Sequence, residues 1–269
     1  MSDNLWMQGR QALQESDWQG AVAAYTTLLR QDPGALSAYL QRHIAFKNLE
    51  RHDEAESDLE HVINLTDVCP DVVTEATSPV LCARADACYH MAVHMIGVRK
   101  EVDWGLSHLT LAIDVMELLY DAFPPQYAAK LATLYFNRGG VEARLKQGYA
   151  HAIEDFTHGI DVCLAELEHP IRTQYQADMQ RLLRVGHLNR AKAYATTDEL
   201  NAAKVDFLEA GGFTGYAEIG FMYYQHGQIC KAQRYLELAM KEPHTPCAVS
   251  TTAANLLMQL RTTKDSRNN

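Results

Sequence analysis

Six times along the chain, near the start of the second of two amphipathic segments, a small residue is followed four positions later by an aromatic residue or leucine. The pairs are Ala21 with Tyr25, Ala55 with Leu59, Gly105 with Leu109, Ala152 with Phe156, Ala203 with Phe207 and Ala232 with Leu236. Residues four apart lie on one face of an α-helix, so each pair makes a packing joint: the small residue lets a neighbouring helix approach, and the large one fills the space beside it. Upstream of each joint lies a second amphipathic segment, and the first and last carry Gly9 and Gly220 where a backbone can come close. A helix pair of this kind cannot bury its apolar face alone, so several must stack. No strand pattern competes, and the expectation is an all-α chain.

The motif residues resemble those of the tetratricopeptide repeat, whose guide pattern is W-x2-L-G-x2-Y, A-x3-F and Pro. Gly9, Ala12, Ala21, Tyr25 and Pro33 match in the first unit, and Tyr39, Phe46, Ala55 and Leu59 in the second, 34 residues on from Ala21 to Ala55. Asn189, Arg190, Ala191, Tyr194, Ala203 and Phe207 take motif places in the fifth. The resemblance implies a right-handed superhelix, or solenoid, of about six helix-turn-helix repeats with a C-terminal capping helix, as one domain over residues 1–263. Later joints are spaced by 50, 47, 51 and 29 residues. Ser78-Pro79, Pro124-Pro125 and Pro170 are good helix starts, so the repeats over 79–210 are expected to be irregular, with central helices of roughly 20 residues. Residues 66–79 read as a long connector, Gly211-Gly212 as a tight joint, the segment from Thr245 to about Thr263 as the cap, and residues 264–269 as a frayed tail.

Composition narrows the partners. Lys and Arg total 24 against 34 Asp and Glu, a net charge of −10, which argues against nucleic acid or an anionic membrane held by global charge. The start lacks a basic leader with an apolar core, and no segment runs 18 residues without charge, so neither secretion nor membrane insertion is expected. The six cysteines, Cys69, Cys82, Cys88, Cys163, Cys230 and Cys247, show no CxxC spacing and read as reduced packing residues. A cytoplasmic protein follows as the expectation.

By resemblance, such repeats bind extended peptides or partner helices in a concave groove lined by the first helix of each unit. That face carries Trp6 and Arg10 in the first unit, Lys47 in the second, and His90 and His94 in the third. It carries Asn137, Val141 and Arg144 in the fourth, Leu188, Asn189 and Lys192 in the fifth, and Phe221 and Tyr224 in the sixth. Amides pair with a peptide backbone, cations hold carboxylates, and Phe221 with Tyr224 offers an apolar anchor. One branch of the family clamps the C-terminal carboxylate of chaperone peptides with Lys and Asn residues. Asn137 and Asn189 sit in Asn-Arg-small contexts similar to part of that pattern, but Thr214, Ala217 and Glu218 stand where its last cation belongs. The same asparagines could instead tie neighbouring helices together.

A metal is the alternative for His90 and His94, whose spacing allows a shared helical face and whose set a distant Cys69 or carboxylate would complete. Cys82 and Cys88 on the same straight segment cannot converge with them. There is no phosphate loop, GxSxG elbow or HExxH, and the acidic run over 50–61 has the period of a solvated outer helix. The sequence therefore points to a non-enzymatic scaffold or adaptor for a protein or peptide, without cofactor. An assembly or secretion chaperone shielding a hydrophobic segment is the competing reading, and self-association through an exposed end of the array is open.

Overall fold

The computed structural model describes residues 2–67, 72–145, 148–168, 176–243 and 248–265. Thirteen α-helices occur among them, and no strand. In chain order they are α1 Ser2–Gln14, α2 Trp18–Gln31, α3 Leu36–Asn48, α4 His52–Leu65, α5 Ser78–His94, α6 Val102–Ala122 and α7 Pro124–Glu142. Then follow α8 Tyr149–Leu167, α9 Gln176–Thr196, α10 Leu200–Ala210, α11 Gly212–Gln225, α12 Ile229–Ala239 and α13 Ala248–Asp265. They form six pairs and a final single helix. No helix among the described residues is long and apolar enough to cross a membrane. The chain divides into two compact units, Met1–Leu134 and Tyr135–Asn269.

All six joints are built as the spacing requires. Ala21, Ala55, Gly105, Ala152, Ala203 and Ala232 lie on the second helix of each pair and are buried, as are their six large partners. Each fully buried large side chain contributes about 1.5–3 kcal/mol relative to exposure. A Cβ placed on Gly9 would sit 2.6 Å from the Tyr25 ring, and one on Gly220 would sit 2.7 Å from Leu236 Cγ, so both glycines mark close helix approaches. Ser78 and Pro124 begin helices, and α6 to α9 run 21, 19, 19 and 21 residues, the lengthening expected from the spacing. Pro170, Cys69, Cys247 and the tail from 266 lie outside the described residues.

One device sets the turn inside each pair. Five positions before the joint residue, Ser16, Glu50, Lys100, Asp198 and Gly227 each adopt a left-handed backbone, with φ from 58° to 70°. The next residue returns its N–H to the end of the preceding helix: Asp17 to Ala12 O at 2.8 Å, Arg51 to Phe46 O at 2.9 Å, Glu199 to Tyr194 O at 2.8 Å and Gln228 to Tyr223 O at 2.8 Å. This six-to-one closure satisfies orphan carbonyls and stops the helix sharply. In the third pair the bond from Glu101 reaches one residue further back, to Met95 O at 2.9 Å. The extra residue is absorbed as a π-helical turn, Met95–Arg99. The corresponding turn of the fourth pair falls at 147, outside the described residues.

Candidate functional site

In the unit Tyr135–Asn269 the first helices α7, α9 and α11 carry the expected binding positions. A cleft of about 460 Å³ is lined by Asn137 and Gly140 from α7, Arg144 from the turn after it, and Asn189, Lys192 and Thr196 from α9. Four sequence-derived candidates, Asn137, Arg144, Asn189 and Lys192, thus meet at one place. Both asparagines are half-buried, while Arg144 and Lys192 are exposed. Arg144 Nε donates to Gly140 O at 2.9 Å, which holds the guanidinium stem against the end of α7. Lys192 Nζ lies 3.2 Å from Glu218 Oε1 on α11.

Glu218 also lines a second cleft, of about 560 Å³, with Phe221 and Tyr224 from α11 and Thr252, Asn255 and Leu256 from α13. Tyr224 is 43% exposed. The Lys192–Glu218 pair therefore stands where an amide- and cation-lined cleft meets one with an aromatic wall. This arrangement can hold a main chain by the amides, a carboxylate by the cations and an apolar side chain beside Phe221.

The asparagines reach the cleft because their neighbours anchor the helices from behind. In each Asn-Arg pair the arginine turns away and clasps an aspartate three residues beyond the joint of its own repeat. Arg138 donates through Nε and Nη2 to Asp155 at 2.9 and 2.7 Å, and Arg190 does so to Asp206 at 2.7 and 2.8 Å. Arg190 Nη1 also reaches Thr157 Oγ1 of the preceding repeat at 3.0 Å, and His187 Nδ1 lies 2.9 Å from Asp206 Oδ1. Burial works against a charged Asp206, yet the hydrogen bonds from Arg190 and His187 hold its carboxyl below the usual range. The same clasp occurs in the other unit, where Arg42 grips Asp58 at 2.9 and 2.6 Å and reaches Thr26 Oγ1 at 3.0 Å. These clasps escaped the sequence reading, although Arg42 and Asp58 stand 16 residues apart around Ala55, as Arg190 and Asp206 do around Ala203.

In the unit Met1–Leu134 the candidates do not converge in this way. Arg10 and Lys47 are exposed on α1 and α3, and Trp6 packs edge-on against Tyr25 with ring centroids 5.5 Å apart. Of the two histidines expected on the partner-facing surface, His94 is buried instead. His90 faces His43 of α3, with ring centroids 4.6 Å apart, whereas His94 is 5% exposed, beside His52 and with Nε2 3.4 Å from Glu56 Oε2 of α4. The extra residue of the π turn follows directly on His94, and the two rings are held by different neighbouring helices. No group of three or more His, Cys, Asp or Glu side chains able to hold a metal occurs among the described residues. Burial depresses the His43 pKa to about 3 and, with Lys47 and Lys130, lowers that of His90, against which the charge of Asp86 works. Cys88 and Cys163 are buried thiols pushed up to about 11 and about 12, consistent with packing roles.

The paired helices, their joints and their chain-order stacking are those of a tetratricopeptide-repeat-like protein. No family model matches the chain, and no curated protein matches it in sequence. Its structure is similar to that of the apo form of RapI, with a TM-score of 0.58 at 9% identity, covering 99% of this chain and 86% of that one. It is similar also to BtubC from P. vanneervenii, with a TM-score of 0.55 at 13% identity, covering 91% and 96% respectively. The type IV pilus biogenesis factor PilW is a third, with a TM-score of 0.53 at 15% identity over 88% of this chain and 91% of its own. At such identities the likeness is one of fold.

Proposed function

We propose that this chain is a non-catalytic interaction scaffold that binds an extended segment of a partner protein along α7, α9, α11 and α13. The observation that carries the reading is the meeting of Asn137, Arg144, Asn189 and Lys192 in one cleft, next to a second cleft walled by Phe221 and Tyr224. Amides suit main-chain groups, the two cations suit acidic side chains or a C-terminal carboxylate, and the aromatic wall suits one apolar anchor. A reducing compartment such as the cytoplasm suits the buried thiols of Cys88 and Cys163.

A chaperone-like activity, shielding a client's hydrophobic segment, is the second reading. It leans on the cleft holding Phe221, Tyr224 and Leu256. One protein of similar fold, with a TM-score of 0.50 at 11% identity, is an assembly chaperone of RpL4 (Acl4). Affinity capture from native lysate separates the two. Replacing Asn137, Asn189 and Lys192 together with alanine is expected to remove the specific partners, and their undiminished recovery would refute the assignment of the cleft. Loss only on replacing Phe221 and Tyr224 would favour shielding of an apolar segment.

A further inference from the structure

A second surface lies in the unit Met1–Leu134, on the side of the second helices rather than the first. Between α4 and α6 runs a groove of about 510 Å³ whose floor is Ile63, Met91 and Met95 and whose wall is Trp104. Trp104 is 64% exposed, an unusual state for the largest apolar residue, and its indole stacks on His108 with ring centroids 6.3 Å apart. The π turn at Met95–Arg99 and the left-handed Lys100 bring Glu101 and the first turn of α6 to this edge.

Every carboxylate or ammonium-type charge lining the groove is negative: Glu56, Glu60 and Glu101. Arg99 shows how this rim receives a guanidinium, since its Nη2 lies 2.6 Å from both Glu56 Oε2 and Asp53 Oδ1. Glu60 and Glu101 have no ion pair among the described residues and are exposed. An apolar floor, an exposed indole and the unpaired acids Glu60 and Glu101 together fit one kind of occupant. The indole quadrupole attracts a cation lying over its face, the acids take its N–H groups, and the methionines accept an adjoining aliphatic chain.

We infer that the groove between α4 and α6 is a docking site for a basic protein segment, in which an arginine or lysine stacks on Trp104 and a neighbouring aliphatic residue packs on Met91 and Met95. The site is separate from the clefts proposed above and shares no residue with them, so a scaffold with both would join an acidic or apolar segment to a basic one.

The test uses the full chain and two fluorescein-labelled peptides, one alternating arginine with leucine and one alternating glutamate with leucine, read by fluorescence anisotropy at low salt. The arginine peptide is expected to bind in this groove, and binding of the glutamate peptide, which belongs to the cleft of Arg144 and Lys192, is expected to be unchanged by Trp104→Ala. Trp104→Ala should weaken binding about tenfold, and Glu60→Lys with Glu101→Lys by at least as much. Because the protein is acidic overall, a charge-matched control, Glu154→Lys with Glu209→Lys on the exposed side of α8 and α10, should leave affinity within about twofold at matched salt. Circular dichroism verifies that the variants remain folded; all the replaced residues are exposed. Absence of binding by the arginine peptide, insensitivity to Trp104→Ala, or equal weakening by the control pair would overturn the proposal.

Discussion

Replacing Asp206 with alanine would strip two guanidinium bonds from Arg190, at 2.7 and 2.8 Å, and one contact from His187, at 2.9 Å. The side chains of Arg190 and Asp206 are only 17% and 4% exposed, so water cannot take over the lost role. Removing one partner of a buried ion pair costs about 3–5 kcal/mol, mostly because the remaining charge stays buried and unpaired. At about 2–4 °C per kcal/mol for a domain of this size, the transition of the unit Tyr135–Asn269 should fall by about 10 °C. Differential scanning calorimetry reads this directly. Arg190→Met combined with Asp206→Leu removes both charges and should recover most of the loss, while Asn189→Ala, one residue away, should change stability by less than about 1 kcal/mol. A shift under about 2 °C for Asp206→Ala, or a loss for Asn189→Ala as large, would refute the division of labour between anchor and ligand-facing residue.

Acid should weaken the unit Met1–Leu134 selectively. The folded state keeps His43 neutral down to about pH 3, whereas the unfolded chain binds its proton near pH 6.5. Stability is therefore lost as pH falls below about 6.5, reaching about 2 kcal/mol at pH 5, and His43→Phe should flatten that dependence in urea titrations at pH 7 and pH 5. Asp198 adopts a left-handed φ of 66° with a side chain, so Asp198→Gly should raise stability by about 0.5–1 kcal/mol, visible as a higher denaturation midpoint. Glu218→Gln frees Lys192, 3.2 Å away, and should tighten binding of a labelled glutamate-rich peptide several-fold by anisotropy, with little effect on melting because Lys192 is largely exposed.

The small-x3-large period was legible because a helix joint needs a small residue and a large one at fixed spacing whatever else varies, and all six such pairs are buried. The turns within the pairs were harder to read. Ser16, Glu50, Lys100 and Asp198 occupy the left-handed position where a glycine would have announced it, and only Gly227 does so. The π turn was illegible for the same reason: one inserted residue near Met95–Arg99 disturbs neither hydrophobic period nor joint. At the candidate site, Asn137, Arg144, Asn189 and Lys192 could be placed by counting back from the joints. His94 could not, since that count assumes an undisturbed helix end, and its burial against α4 depends on neighbours far along the chain. The arginine clasps were present as a recurring Arg, small residue and Asp spacing, but charge alone does not say whether a side chain faces solvent or its own repeat.

Site-specific photo-crosslinking most directly probes whether α7 and α9 receive a partner chain. A photoreactive phenylalanine analogue at Asn189 is compared with one at Val205, an exposed position on α10. The account predicts that Asn189 yields a discrete adduct in native lysate, lost when Asn137 and Lys192 are also replaced by alanine, and that Val205 yields none of the same mass. An identical adduct from Val205, or an Asn189 adduct indifferent to those replacements, would contradict it.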